Sequence, residues 1–110
     1  MIWRIRDRAT FEALRRSGSR SRDGAITVTY CGIRGPGPAR VAYAVGKRVG
    51  GAVVRNRLRR RLRAAAAEIT DLTPGAYLVR VAPEAAALSY EDLKAQVTRA
   101  MTTASGDRRP

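Results

Sequence analysis

The chain has 110 residues, and its 22 lysines and arginines outnumber its 9 aspartates and glutamates, for a formal net charge of +13. This length fits a single domain (1–110) with a modest core, and this charge favours nucleic acid as the partner over a membrane surface. With no histidine and one cysteine, the sequence excludes zinc ligation, an internal disulfide and histidine-based catalysis within the chain.

The N-terminal part is predicted to be a short basic segment followed by a helix. Residues 1–6 are expected to be mobile, with Trp3 as an apolar anchor. Asp7 is a plausible N-cap for a helix that runs to about Arg16, and Gly18 ends it. No stretch approaches the ~18–20 apolar residues of a membrane-spanning helix, and the N-terminus lacks a cleavage-site pattern, so we expect a cytoplasmic protein.

Two strands are predicted in the next part of the chain. The polar segment 19–23 is interpreted as a loop that either touches phosphate or only connects two elements. Residues 24–31 are rich in β-branched and aromatic side chains, which indicates a strand with Cys31 as a small core or edge residue. The glycines and prolines of 32–39 predict an exposed hairpin-type loop, and 40–46 forms the second strand.

A helix of unusual charge follows the second strand. Six of the nine residues from 55 to 63 are arginine, and the helix is expected to run to about Thr70. Its like charges at i,i+4 cost roughly 0.2–0.5 kcal/mol per pair, so the pattern favours a polyanion-binding face over a merely solvated one. Asn56 either contacts the partner or orients Arg60. At about 100° per residue the apolar stripe holds Val54, Leu58, Leu62, Ala65 and Ile69.

The last third of the chain adds a strand and a helix. A turn at 73–75 precedes a third strand at 76–82. Ser89 is predicted to cap the final helix with Asp92 at its third position, and 105–110 is expected to be a frayed tail. The fold class is therefore α+β, an α/β sandwich with a small, mainly antiparallel sheet. The predicted element order is helix, strand, strand, an optional further strand, basic helix, strand and helix.

The run 45–63, VGKRVGGAVVRNRLRRRLR, resembles the signature of the bacterial ribonuclease P protein subunit. The centre of that signature is an Arg-Asn-Arg triplet, here at 55–57. Segments 4–18, 40–46 and 88–91 are also similar to the family, so the resemblance covers nearly the whole chain. It implies that the motif helix joins two parallel strands by a left-handed crossover, opposite to the usual hand.

The resemblance also implies a function. In this family the protein assembles with a large catalytic RNA that removes the 5′ leader of precursor transfer RNA, and the RNA with bound Mg²⁺ performs the hydrolysis. The chain would then bind no cofactor firmly and contain no catalytic residue or metal ligand. By position in the motif, the residues expected to contact the catalytic RNA are Lys47, Arg48, Arg55, Asn56, Arg57, Arg59, Arg60 and Arg63.

A second site implied by the resemblance is a cleft on the sheet that receives the single-stranded leader. The residues expected in it are Phe11, Arg15, either Thr29 or Tyr30, Tyr43 and Val45, with Ala44 as a neighbour. Stacking of a base on an aromatic ring is worth ~1–3 kcal/mol. The sequence departs from the family at three positions, since Arg15 replaces a second aromatic residue, Gly46 a serine and Ala82 an arginine.

Two other classes of protein share the charge pattern. A ribosomal-type structural RNA-binding protein would have the basic surface without a cleft for a single strand. A DNA-binding module would place the helix in a major groove, but such helices present varied polar side chains to base edges. A face that is almost entirely arginine suits backbone phosphates instead, so no DNA partner is expected.

Overall fold

The computed structural model describes residues 2–33 and 37–106. These residues form one five-stranded sheet in the order β1-β4-β5-β3-β2, together with three α-helices. The strands are β1 (Trp3–Arg4), β2 (Ser19–Asp23), β3 (Ile26–Cys31), β4 (Arg40–Ala44) and β5 (Ala76–Val81). The helices are α1 (Arg8–Ser17), α2 (Ala52–Ala67) and α3 (Tyr90–Gly106). Within the described ranges, no helix has the length and hydropathy needed to cross a membrane.

The sheet is mixed, and the α+β class is confirmed. β4 pairs in parallel with β1 and β5, whereas β3 pairs antiparallel with β5 and β2. Most of the paired residues are antiparallel, as expected, and the parallel pairs all involve β4. Helix α2 connects the parallel neighbours β4 and β5, as the resemblance implied. The left hand of this crossover stays a prediction.

The loop at 32–39 does not close a hairpin, contrary to prediction. β5 lies between β3 and β4, so the connection must pass across a strand that comes later in the chain. The two central side chains of β5 on the core side, Tyr77 and Val79, have no exposed surface. An apolar strand of this kind belongs in the middle of a sheet, where both neighbours shield it. Residues 34–36 of the predicted loop lie outside the described residues.

Alternate residues of each strand face two different layers. One face packs on α2 and α3 and forms the main core, with Ile26, Val28 and Tyr77 fully or almost fully buried. The other face carries a smaller cluster beneath α1 that includes Leu14 and Cys31. This division follows from the two-residue period of strand side chains.

Two segments expected to be irregular are edge strands. Segment 1–6, predicted to be mobile, contains β1, and Ile5 next to it is only 5% exposed. Segment 19–23, predicted to be a loop, is β2. Its Ser19 hydroxyl donates to the Ala104 carbonyl at 3.0 Å, and Asp23 accepts from Arg99 of α3 at 2.8 Å. Side-chain contacts with α3 therefore stabilise β2, although serine and aspartate have a low propensity for strands.

The predicted helix ends agree with the structure at three of four places. The Asp7 carboxylate accepts from the Thr10 amide at 2.9 Å, and the Ser89 hydroxyl accepts from the Asp92 amide at 3.1 Å. Gly18 ends α1 as expected, with its amide donating to the Leu14 carbonyl at 3.1 Å. Helix α2, however, ends at Ala67 rather than near Thr70.

The expected frayed tail begins later than predicted. Ser105 is buried and hydrogen-bonds the Met101 carbonyl at 3.1 Å, so 105 and 106 are still part of α3. The rest of the predicted tail, 107–110, lies outside the described residues.

Candidate RNA-binding surfaces

Helix α2 separates an apolar side from a basic side. Leu58, Leu62, Ala65 and Ala66 are buried against the main core, and Leu62 has no exposed surface. No acidic residue lies in the first turn. The remaining predicted stripe residues, Val54 and Ile69, are partly buried. Burial of the leucines and alanines therefore fixes the rotation of α2, and this rotation presents its arginines outward.

The turn before α2 continues the basic surface. Lys47 and Arg48 are exposed in a short 3-10 turn that precedes Gly50 and Gly51. Gly50 has φ +156°, and a Cβ there would lie 3.0 Å from the Val54 side chain. A residue with a side chain would be strained at this position, so glycine is needed to bring the turn directly onto the helix.

The basic face of α2 comprises Arg55, Asn56, Arg57, Arg59, Arg60 and Arg63. Asn56, Arg57, Arg60 and Arg63 are exposed, and Arg55 and Arg59 are partly buried. The structure therefore brings the predicted RNA-contacting residues together on one helix and the turn that precedes it. A neighbouring arginine, Arg61, points elsewhere and donates to the Leu88 carbonyl at 3.2 Å, which ties α2 to the start of α3.

Two arginines of the basic face have specific surroundings. Arg59 donates to the Asn56 side-chain oxygen at 3.3 Å and to the Val45 carbonyl at 3.5 Å. Asn56 therefore accepts a hydrogen bond from Arg59, whereas one of the two alternatives from the sequence had it orient Arg60. The Nε atom of Arg55 is buried without a hydrogen-bond partner among the described residues. A buried donor of this kind is costly unless an acceptor reaches it.

Carboxylates do not neutralise the basic face. Within the part of the chain that the structure describes, the ion pairs are Lys94–Glu68 and Arg99–Asp23. Hydrogen bonds from Lys94 and Tyr90 lower the pKa of Glu68, and the hydrogen bond from Arg99 lowers the pKa of Asp23. Both carboxylates are engaged with α3, so the positive charge of α2 remains available to an external polyanion.

The six residues expected to form one cleft are divided by the sheet. Phe11 and Thr29 lie on the α1 side, and Arg15 is exposed one turn beyond Phe11 on α1. Tyr30, Tyr43 and Val45 belong to the main core on the opposite side. Thr29 and Tyr30 are sequence neighbours on one strand, so they cannot share a face. These residues therefore do not all line one surface, and which of them contact the leader stays a prediction.

The α1 side of the sheet presents a further basic surface, which we call the open face. Directly paired residues share a face of a sheet, and the strand register aligns Arg22, Thr27, Arg80 and Ala44 in one row. The next row holds Arg20, Thr29, Leu78 and Ala42. Arg20, Arg22, Arg80 and Ala44 are exposed, because α1 packs over the other end of these strands.

From the sequence, phosphate contact was one alternative for segment 19–23, but its arginines were not placed on one sheet face with Arg80. Arg20 and Arg22 lie in the segment interpreted as a loop, and Arg80 was treated as one residue of a strand. The signal was present in the alternation of serine and arginine in 19–22, which has the two-residue period of a strand. Arg22 and Arg80 flank Thr27, and their Cα atoms are two strand spacings apart, roughly 10 Å.

The three departures from the family pattern are accommodated differently. Gly46 is exposed, and a Cβ there would meet nothing within 4 Å, so a serine would also fit. Ala82 directly follows β5, where its amide donates to the Ala25 carbonyl at 2.9 Å. Arg15 places a charge, not a ring, one helical turn beyond Phe11.

Comparison with known proteins identifies the family of this chain. A family model described as Ribonuclease P matches residues 2–105. The ribonuclease P protein component of Thermobifida fusca is 38% identical over 114 residues, covering 96% of this chain and 78% of that protein. The corresponding protein of Acidothermus cellulolyticus is 40% identical over 102 residues, covering 88% of this chain and 83% of that protein.

The fold is shared with solved structures as well. The RNase P protein of Staphylococcus aureus superimposes with a TM-score of 0.82 at 19% identity, covering 93% of this chain and 94% of that one. At this identity the likeness concerns the fold, whereas the family model and the sequence relatives cover nearly the whole chain. The chain therefore belongs to the bacterial ribonuclease P protein family.

Proposed function

We propose that this chain is the subunit of ribonuclease P that binds the catalytic RNA through α2 and the 5′ leader of precursor transfer RNA through the open face. The RNA contact would be made by Lys47 and Arg48 and by the basic face of α2. In the assembled particle the RNA cleaves the leader, and the protein positions the two RNAs relative to each other. This assembly would work in the cytoplasm.

The observation that carries the proposal is the unneutralised arginine face on a helix whose other side is locked into the core. Leu58 and Leu62 hold α2 in place, so its arginines are presented in a defined arrangement before any RNA arrives. Guanidinium groups suit bidentate contact to phosphate oxygens.

The leader would follow the open face. Phe11, which is partly buried beside the sheet, would offer its ring for base stacking, and Arg22 and Arg80 would contact the backbone. The small Ala42 and Ala44 on the same side leave space for a strand to approach closely. Of the six residues first expected there, Phe11, Arg15 and Thr29 fit this path, whereas Tyr30, Tyr43 and Val45 lie across the sheet.

Magnesium would act on the RNA. Among residues 2–33 and 37–106, no group of three or more His, Cys, Asp or Glu side chains is arranged to hold a metal ion. We therefore assign no step of the reaction to a metal held by these side chains. Their contribution is to bind and orient RNA.

Cleavage of a precursor transfer RNA by a bacterial ribonuclease P RNA, at low magnesium, tests the first half of the proposal. Adding the wild-type protein should restore cleavage, and the Arg55→Ala/Arg57→Ala variant should not. If the wild-type protein binds RNA tightly without stimulating cleavage, the subunit assignment fails. A ribosomal-type structural RNA-binding protein then becomes the better description.

Leader binding needs a separate comparison. The assembled particle should bind a precursor with a leader more tightly than mature transfer RNA. In an Arg22→Gln/Arg80→Gln variant, the ratio of precursor affinity to mature-product affinity should fall about tenfold or more, since a charged hydrogen bond is worth about 1.5–3 kcal/mol. Affinity for the mature product should be unaffected. Equal losses for both ligands would contradict a leader site on the open face.

A further inference from the structure

A groove of about 880 Å³ opens at the β1 edge of the sheet, between the N-terminal segment and α2. Arg4 and Arg6 line one wall, Arg59 and Arg63 line the other, and Val41 and Tyr43 are part of its floor. We call this the edge groove. It lies on the main-core side of the sheet edge, away from Arg22 and Arg80 of the open face.

The groove exists because β1 is shorter than its neighbour. The last paired residues are Arg4 and Val41, whereas β4 continues to Ala44. One further contact follows, from the Ile5 amide to the Val41 carbonyl at 3.4 Å. Beyond it the edge of β4 at Tyr43 has no neighbouring strand, and the C-terminal half of α2 forms the opposite wall.

The charge of the groove is entirely positive. Four arginines line it, and none of the lining residues is acidic. The acid nearest in sequence, Asp7, is engaged as the cap of α1, where Thr10 donates to it from its amide at 2.9 Å and from its hydroxyl at 2.7 Å. Arg59 is held by Asn56 at 3.3 Å. Such a cluster is self-repelling until an anion enters.

The floor of the groove is apolar and aromatic, in contrast to its charged walls. Val41 is buried, and Tyr43 is partly buried with its side chain in the groove. Burial raises the pKa of Tyr43 to about 12, an effect that the nearby Arg63 opposes. The phenol is therefore neutral at physiological pH. An aromatic, uncharged floor beneath four guanidinium groups matches a ligand that combines a planar apolar part with a phosphate.

We propose that the edge groove binds a single unpaired nucleotide of the RNA partner, with its phosphate on the arginine walls and its base against Tyr43. This inference rests on the proposed function, since it takes RNA as the partner. Arg59 and Arg63 belong both to the groove and to the basic face of α2, so an RNA lying along α2 could insert one extruded base here without leaving the helix. RNA is favoured over other anions because phosphates and bases alternate along it.

Binding to the groove should be measured by isothermal titration calorimetry. The single tryptophan, Trp3, does not report on the groove alone, because it shares a sheet face with Arg40 through strand pairing and its ring lies 5.4 Å from the Arg40 guanidinium. We would titrate the full-length protein with adenosine 5′-monophosphate and, separately, with inorganic phosphate. The nucleotide should bind more tightly than phosphate, because only the nucleotide can stack on Tyr43.

Substitutions in the groove distinguish the contribution of the phosphate to binding from the contribution of the base. Arg4→Gln/Arg63→Gln should weaken both ligands about tenfold or more. Tyr43→Leu should remove the preference for the nucleotide and leave phosphate binding as it was, and Tyr43→Phe, which keeps the ring, should retain the preference. Arg16→Gln removes one exposed charge on α1, outside the groove lining, and serves as the control. Thermal unfolding would confirm that each variant is folded.

Several results would overturn the proposal. They are the absence of a binding signal for the nucleotide, equal affinity for phosphate and nucleotide, or a preference that survives Tyr43→Leu. Failure here is distinguishable from failure of the proposed function. If the protein stimulates precursor cleavage but does not bind the nucleotide, only the proposal for the edge groove fails. If it binds the nucleotide but does not stimulate cleavage, the subunit assignment is contradicted.

Discussion

The dependence of RNA affinity on salt is the sharpest prediction for α2, and Arg57→Gln/Arg60→Gln is the variant to measure. Both side chains are exposed, and neither takes part in the ion pairs of the described residues. Each phosphate that a cation neutralises adds about 0.7–0.9 to the slope of log affinity against log salt. Loss of two such contacts should therefore reduce the slope by about 1.4–1.8.

The expected effect is large enough for a filter-binding assay with a bacterial ribonuclease P RNA. For each protein, the ratio of its affinity at 50 mM salt to its affinity at 200 mM salt is the quantity to compare. With a slope change of this size, that ratio should be about tenfold smaller for the variant than for wild type. At low salt the variant should bind more weakly than wild type, because the released counterions no longer contribute. Measurements at four or five salt concentrations would define the slope for each protein.

A control with the same loss of charge shows whether position matters. Arg16→Gln/Arg99→Gln also removes two positive charges, but Arg16 lies on α1 and Arg99 is paired with Asp23 at 2.8 Å. We expect its slope to stay close to that of wild type. If this control lowers the slope as much as Arg57→Gln/Arg60→Gln does, binding depends on net charge alone, and the argument for a defined arginine face is refuted.

Three predictions concern stability. Ser89→Ala should cost about 1 kcal/mol by removing the cap of α3, seen as a lower thermal midpoint, and an unchanged midpoint would contradict the cap's role. The pKa of Asp23 is lowered below its usual 3.8, so its contribution is present above that value and lost as pH falls; the stability gap between wild type and Asp23→Asn should close in acid urea titrations. The pKa of Tyr43 is raised from 10.0 to about 12, so its contribution is lost as pH rises through that range, and Tyr43→Phe should lose less stability there in alkaline unfolding experiments. Parallel pH profiles of variant and wild type would contradict either assignment.

Local features of the sequence predicted most helices and the inner strands. Asp7 and Ser89 cap the helices as expected, because a cap depends on residues within one turn. The apolar stripe of α2 predicted Leu58 and Leu62 as buried positions, since the helical period alone places them on one side. The same periodicity predicted the outward face with Arg60 and Arg63, both of which are exposed.

The edge strands show where local information was insufficient. The serines, arginines and aspartate of 19–23 have low strand propensity, yet the segment pairs along its whole length with β3. Its partners come from far along the chain, such as Ala104 and Arg99 on α3. The two-residue segment β1 depends in the same way on β4, which begins at Arg40.

The sequence by itself determined the charge of this protein, the identity of its motif helix and the caps of α1 and α3, because each depends on composition or on neighbours within a few residues. Only the tertiary structure decided which side chains share a surface. The position of β5 between β3 and β4 sets the strand register. This register places Arg22 and Arg80 on the same face of the sheet, and Tyr43 on the face opposite to Thr29. Strand order is a long-range property, since it is determined by pairing between segments that are distant in sequence.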